Sequence, residues 1–175
     1  MPQYLYEAIG GDRKICITQP RRVAAISLAE RVSQEMGRPK IGELVGYRVR
    51  FEEKLDKDLT KIVFMTDGML LREALLDKLL SSYSVLILDE VHERSVNSDV
   101  LLALVKEIAL QRKGDLKLVV MSATLDSSKF AQYFGQGVAQ VDVEGRTYPI
   151  EVYHSLSPHS DFIVSKHSVY LTFFY

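Results

Sequence analysis

The stretch at residues 84–102, SVLILDEVHERSVNSDVLL, decides the fold class of this sequence. Its apolar run, residues 85–88, is uninterrupted, and such a run predicts a strand buried on both faces inside a parallel sheet. The run stops at two adjacent carboxylates, Asp89 and Glu90. Because the chemistry of open α/β sheets takes place just beyond the carboxyl ends of their strands, we expect this pair to lie in a functional site.

Two neighbouring acids can divide a reaction between them. We expect Asp89 to hold Mg²⁺ through its hydration shell, because this ion prefers carboxylate oxygens and keeps several waters. Glu90 would then orient or deprotonate a water that attacks a phosphate. Taken alone, an Asp-Glu pair after a strand also fits a solvated turn without function.

Composition narrows the class of protein. The chain has 175 residues, of which 47% are hydrophobic and 26% charged, and this predicts one soluble globular domain. A net charge of −1 provides no overall positive field, so binding of nucleic acid would depend on local basic patches. Cys16 is the single cysteine, which excludes an intramolecular disulfide and predicts a buried small side chain. No apolar run reaches membrane-spanning length and no signal peptide is recognisable, so we expect an intracellular protein without a membrane partner.

Strands and helices alternate along the chain. The predicted strands or extended pieces cover residues 14–18, 44–51, 61–66, 85–88, 116–121, 138–143 and 150–153. The predicted helices cover residues 1–8, 23–36 and 69–80, one from Ser98 or Asp99 to about residue 111, and one that begins at Asp126. The charged segment 52–58 is predicted to be a mobile loop. This alternation predicts a mostly parallel sheet covered by helices on both faces.

Two further segments carry features of a phosphate-binding site. Residues 18–22, TQPRR, lie where a predicted strand ends and a helix begins. Free backbone N–H groups and two arginines at that point could bind a phosphate. A solvated basic turn is the alternative. Residues 66–70, TDGML, also follow a strand and open a helix, so Thr66 could contact a phosphate, cap the helix, or do both.

Two other segments give weaker signals, and three histidines give none. Residues 46–52, GYRVRFE, alternate in an extended pattern that places Arg48 and Arg50 on one side. Residues 122–124, SAT, close a strand, but three small residues occur often by chance. His154, His159 and His167 have no companion carboxylates or cysteines, so they indicate no metal site.

The segment DEVHER at residues 89–94 resembles the Walker B signature of the DEAH-box family of ATP-dependent RNA helicases, with Val91 where the family name has alanine. The five segments between residues 18 and 124 occur in the order and spacing of that family. The sequence is therefore similar to the first of the family's two RecA-like domains, which implies a three-layer α/β fold of the P-loop NTPase type. By this resemblance residues 1–155 are a partial first RecA-like domain, and residues 156–175 are a linker remnant with a divergent tail.

The resemblance also implies roles for individual residues, with ATP and Mg²⁺ as cofactors and RNA as partner. Arg31 would stack on adenine, and Arg48 would be solvated. The implied sites are catalysis and metal binding at Asp89 and Glu90; nucleotide binding at Arg31, Asp89, Glu90 and His92; coupling of hydrolysis to domain movement at Ser122 and Thr124; and RNA binding at Arg21, Arg50 and Thr66.

The sequence departs from the family in one respect that bears on activity, because no G-x-x-x-x-G-K-[ST] loop occurs in it. The strand that carries this loop in the family would be absent too, which would leave the strand at residues 117–121 with unpaired backbone groups. We expect a fragment of an ATP-dependent RNA helicase that is inactive alone, lacks the second RecA-like domain, and can have a protein cofactor as a further partner. The alternatives are a catalytically dead module that binds only RNA or a partner and, against the motif pattern, a DNA translocase. The family suggests a location in the nucleus or nucleolus.

Overall fold

A six-stranded sheet forms the centre of the fold, in a computed structural model that describes residues 1–9, 13–123, 127–135, 137–143, 145, 149, 151 and 152. Its strand order is β3-β2-β4-β1-β5-β6, and every neighbouring pair is parallel except β2 with β3. The strands are β1 (Lys14–Gln19), β2 (Val45–Val49), β3 (Glu52–Lys54), β4 (Ile62–Thr66), β5 (Tyr83–Leu88) and β6 (Lys117–Val120). The mostly parallel sheet expected from the sequence is therefore confirmed.

Helices cover both faces of this sheet. They are α1 (Pro2–Ile9), α2 (Arg22–Glu35), α3 (Asp67–Leu76), α4 (Val96–Gln111) and α5 (Ser127–Phe134), with one 3₁₀ turn at Val91–Glu93. The chain divides into two units, Met1–Gln140 and Val141–Tyr175, and all these elements belong to the first. Among the described residues, no helix is both long and apolar enough to cross a bilayer.

The core consists of two apolar layers separated by the sheet. One layer packs under α3 and α4 and includes Leu86 and Leu88, whereas the other packs under α2 and includes Val85 and Ile87. All four side chains are at most 2% exposed. Burying one such side chain contributes about 1.5–3 kcal/mol, so the apolar run predicted from the sequence stabilises both layers at once.

The segment at residues 52–58 was predicted to be a mobile loop, but part of it forms a strand. Its first residues form β3, which pairs antiparallel with β2 across a turn at Arg50 and Phe51. A Cβ on Gly46 would lie 2.5 Å from the Lys54 carbonyl oxygen, so this close backbone approach requires glycine. The charged composition that suggested mobility instead reflects the exposure of an edge strand.

Two predicted helix boundaries are also wrong. Ser95, not Ser98 or Asp99, caps α4, since its hydroxyl accepts the Ser98 N–H at 3.0 Å. Helix α3 ends at Leu76 rather than at residue 80, because the Asp77 carboxylate accepts backbone N–H groups from the turn that follows. Asp126, the predicted start of α5, lies outside the described residues.

The strand at residues 117–120 lies at the edge of the sheet, as expected. Within the described part of the chain, β6 pairs only with β5. Residues 138–143, predicted to be a strand or an extended piece, form no strand, and Val141 and Val143 are 79% and 85% exposed. A strand forms only where a neighbour pairs with its backbone, and none of the described strand pairings includes this segment. The predicted piece at 150–153 lies largely outside the described residues.

Candidate functional site

The parallel strands bring the segments that follow them together at one edge of the sheet. In the strand register Gln19 lies opposite Thr66, and Thr18 lies opposite Leu88. The segments that follow these strands therefore meet at the carboxyl edge, as does the chain beyond β6. We call residues 19–22 the arginine corner and residues 89–94 the carboxylate loop.

Both oxygens of the Asp89 carboxylate have hydrogen-bond partners. Oδ1 accepts the Glu90 N–H at 2.9 Å, and Oδ2 accepts Nε2 of Gln19 at 2.5 Å. Burial raises the pKa of the Asp89 carboxyl above its ordinary value, while these two hydrogen bonds oppose that rise. Gln19 is 3% exposed and its side chain fixes the orientation of Asp89, a role that the sequence analysis missed.

Glu90 has a backbone conformation that is unusual for its residue type. Its φ of 56° and ψ of 32° lie in the left-handed region, which costs a residue with a Cβ roughly 1–2 kcal/mol. The neighbouring Val91 N–H donates to the Met121 carbonyl at 3.2 Å and helps to hold this turn. Strained residues of this kind concentrate at functional sites, which agrees with the position predicted for Glu90.

His92 links the carboxylate loop to the chain after β6. Its Nδ1 accepts the Ala123 N–H at 3.2 Å, so the ring proton lies on Nε2, 3.2 Å from Oε2 of Glu90. Ser122 lies half-buried in the same connection. His92 therefore connects the carboxylate Glu90 to the segment that contains Ser122. Thr124, the other predicted coupling residue, lies outside the described residues.

The arginine corner contacts the carboxylate loop directly. Arg21 is the N-cap residue of α2 and makes no side-chain cap hydrogen bond. Its guanidinium instead lies 3.0 Å from Oε1 of Glu93, and the Arg21 side chain is 74% exposed. The predicted phosphate-contacting residue is thus at a helix N-terminus, where backbone N–H groups favour anions.

Arg50 and Thr66 also lie at the carboxyl edge. Arg50 is in the turn between β2 and β3, with its guanidinium carbon 4.7 Å from the centroid of the Phe51 ring. Phe51 is 88% exposed, and the sequence analysis did not single it out. Thr66 occupies the N-cap position of α3 without a side-chain cap hydrogen bond, so the capping role considered for its hydroxyl is not observed.

Arg31 lies apart from these residues on α2. It is nine residues beyond the first residue of that helix, or about 14 Å along the axis. Its Nε donates to Oε1 of Glu35 at 2.5 Å, and its side chain is 71% exposed. A planar guanidinium this exposed is accessible to a ligand from solution, as stacking on a base requires.

Arg48 is not solvated, contrary to the expectation. Its side chain is only 28% exposed and forms ion pairs with Glu53, at 2.8 Å, and with Glu73. The Tyr83 hydroxyl donates to Glu73 as well. The alternation along β2 directs Arg48 under α3, so Glu73 of that helix packs over it.

The carboxylate loop has donors that fit Mg²⁺. Two adjacent carboxylates, one of them held in a fixed orientation, match an ion that takes one or two such ligands and keeps its waters. Asp89 and Glu90 are therefore the residues that would hold this ion. Within the described residues no cluster of three or more metal-ligating side chains occurs.

Comparison with known proteins gives consistent matches. Residues 4–132 match the family described as DEAD/DEAH box helicase. The chain is 51% identical over 168 residues to ATP-dependent RNA helicase DHX33 of Homo sapiens, covering 93% of this chain and 23% of that protein. It is 44% identical over 176 residues to the probable ATP-dependent RNA helicase DHX35 of Homo sapiens, covering 94% and 25% respectively. A Drosophila melanogaster DHX33 is 48% identical over 180 residues, covering 100% and 25%. The chain spans about a quarter of the length of these curated relatives.

Proposed function

The chain belongs to the DEAD/DEAH box helicase family, and from this premise we propose that it supplies the RNA-contacting and water-activating edge of an ATP-dependent RNA helicase. Residues 1–155 are then part of the first RecA-like domain, and residues 156–175 are a linker with a divergent tail. The observation that carries the proposal is the meeting of the arginine corner and the carboxylate loop at one edge of the sheet.

RNA binding in this proposal is independent of sequence. Arg21 and Arg50 contact backbone phosphates, and Thr66 contributes its hydroxyl at the start of α3. The exposed ring of Phe51, beside Arg50, offers a surface on which a base can stack. With about two or three phosphates neutralised, affinity should depend only moderately on salt.

The carboxylate loop serves hydrolysis of ATP. Bound Mg²⁺ would neutralise charge on the phosphates, and Asp89, oriented by Gln19, would hold it through water. Glu90 orients the attacking water and accepts its proton, while His92 fixes the Glu90 carboxylate from the other side. We assign adenine stacking to Arg31, and coupling between hydrolysis and domain movement to Ser122 and Thr124.

The whole protein, in this proposal, couples ATP hydrolysis to remodelling of RNA. That activity needs the second RecA-like domain of the family, which would close over the nucleotide, and it can involve a protein cofactor. A nuclear or nucleolar location completes the proposal.

A second candidate function is a module that binds RNA or a partner without hydrolysing ATP. One sequence observation favours it, because the chain has no G-x-x-x-x-G-K-[ST] loop to hold the β- and γ-phosphates. In a phosphate-release assay on this chain, turnover that Glu90→Gln abolishes would exclude the second candidate. Both candidates allow the absence of turnover that the missing loop predicts.

Fluorescence anisotropy with a labelled single-stranded RNA tests the RNA contact. We expect log K to fall by about two to three for each log unit of salt, and a double variant, Arg21→Ala with Arg50→Ala, to reduce both the affinity and this slope. Arg72→Ala, which removes an exposed arginine from α3, is the matched control. Equal binding by the double variant and the wild-type chain would remove these arginines from the RNA site.

A further inference from the structure

Glu93 is the acidic residue of the carboxylate loop to which the proposed function gives no role. It lies in the 3₁₀ turn Val91–Glu93, and its N–H donates to the Glu90 carbonyl at 3.0 Å. Its carboxylate points away from that turn to the guanidinium of Arg21, at 3.0 Å. One residue therefore connects the backbone that carries Glu90 with the side chain expected to bind RNA.

The two partners differ in their freedom to move. The Glu93 side chain is 29% exposed, whereas that of Arg21 is 74% exposed. Arg21 can therefore rotate towards a ligand in solution while Glu93 stays near the loop. An exposed ion pair of this kind contributes little stability, so a ligand of similar charge can displace it at small cost.

A phosphate bound by Arg21 would be close to the Glu93 carboxylate. The guanidinium has enough N–H groups to contact both anions, but two negative charges on one cation repel each other. We propose that RNA phosphate competes with Glu93 for Arg21, so that Glu93 is a positioning residue through which the carboxylate loop responds to RNA. This inference rests on the proposed RNA contact at Arg21.

The test is a double-mutant cycle on RNA affinity in the full chain. The probe is a fluorescein-labelled single-stranded oligouridylate of about twelve nucleotides. Glu93→Gln removes the competing charge and keeps the shape of the side chain, so we expect it to tighten binding by roughly two- to fivefold. In the Arg21→Ala background the same substitution should leave the affinity unchanged, because the contested cation is absent.

A matched control separates local competition from a general gain of positive charge. Glu107→Gln changes the net charge equally, at an exposed position on α4 that is eleven residues from its start, or about 16 Å. We expect its RNA affinity to equal that of the wild-type chain. A purely structural role for Glu93 predicts the opposite sign, since losing a stabilising contact would lower the urea midpoint and weaken binding.

Besides weaker binding by Glu93→Gln, three results would overturn the inference. One is equal affinity of Glu93→Gln and the wild-type chain, which leaves the RNA contact itself intact. Another is a gain in the Arg21→Ala background as large as that in the wild-type background. The third is a wild-type chain that does not bind the oligonucleotide at all, which contradicts the proposed function as well and is therefore distinguishable from the first two.

Discussion

Two groups of charged side chains lie on the same sheet, and they differ in what their charges do. At the carboxyl edge, Arg21 and Arg50 are exposed and close to strand ends. Under α3, Arg48 is enclosed with Glu73 and Tyr83 beside a cavity of about 270 Å³. Exposed charges at an edge can meet a ligand, whereas enclosed charges that satisfy one another stabilise the packing of a helix on the sheet.

The energetic reasoning differs between the groups as well. Removing one member of an enclosed ion pair leaves the other charge without a partner and costs stability. Removing one exposed arginine costs the fold almost nothing and shows only in binding. The predictions below use this difference, beginning with the largest expected effect.

The largest expected effect concerns ATP turnover at the carboxyl edge. We expect this chain to release no measurable phosphate from ATP with or without single-stranded RNA. Positioning of the phosphates supplies most of this catalysis, and the chain has no G-x-x-x-x-G-K-[ST] loop to position them. A steady-state phosphate-release assay measures it. Turnover that Glu90→Gln abolishes would show that the carboxylate loop acts without a phosphate-binding loop.

A large effect on stability is expected under α3. Glu73→Gln leaves Arg48 with a single carboxylate partner and weakens the acceptor of the Tyr83 hydroxyl, so the free energy of unfolding should fall by about 1–3 kcal/mol. Urea titration followed by circular dichroism measures this change. Glu107→Gln, at an exposed position, serves as control and should change the free energy of unfolding by less than about 0.5 kcal/mol. An equal response of both variants would show that the enclosed cluster adds no stability.

A smaller effect of opposite sign is expected at the carboxyl edge. The folded-state pKa of Asp89 lies above its ordinary value of 3.8, so the folded chain binds the proton more tightly than the unfolded chain does. Stability is therefore lost as the pH rises from the ordinary pKa of the unfolded chain through the raised pKa of the folded chain. Asp89→Asn removes this loss, so it should raise the urea midpoint at pH 7 but not below about pH 4. Asp58→Asn is the exposed control. If Asp89→Asn instead lowered the urea midpoint at pH 7, the raised pKa of Asp89 in the folded chain would be contradicted.

The main features of the fold could be predicted from local sequence, because each depends on neighbouring residues. The apolar run at residues 85–88 is buried on both faces as predicted, and the alternation of strands and helices correctly predicts the parallel sheet. The carboxyl edge could be predicted for the same reason, since parallel strands must end together.

Features that depend on distant partners could not be predicted. Gln19 orients Asp89, a residue 70 positions away, and nothing in its own segment indicates that contact. The extended pattern of β2 predicts that Arg48 and Arg50 lie on the same side. In the structure a turn begins at Arg50, whereas Glu73 of α3 covers Arg48. The expectation that Arg48 is solvated came from the family resemblance, and the sequence around Arg48 does not indicate that a helix packs on it.

The central claim is that the carboxyl edge binds RNA while the cluster under α3 stabilises the fold. Arg48→Ala and Arg50→Ala test it most directly, because these residues are two positions apart and carry the same charge. RNA affinity by anisotropy and the urea midpoint are measured on both variants. The account predicts weaker RNA binding with an unchanged midpoint for Arg50→Ala, and a lower midpoint with unchanged RNA affinity for Arg48→Ala under folding conditions. The claim would be contradicted if Arg48→Ala lost as much RNA affinity as Arg50→Ala and left the urea midpoint unchanged.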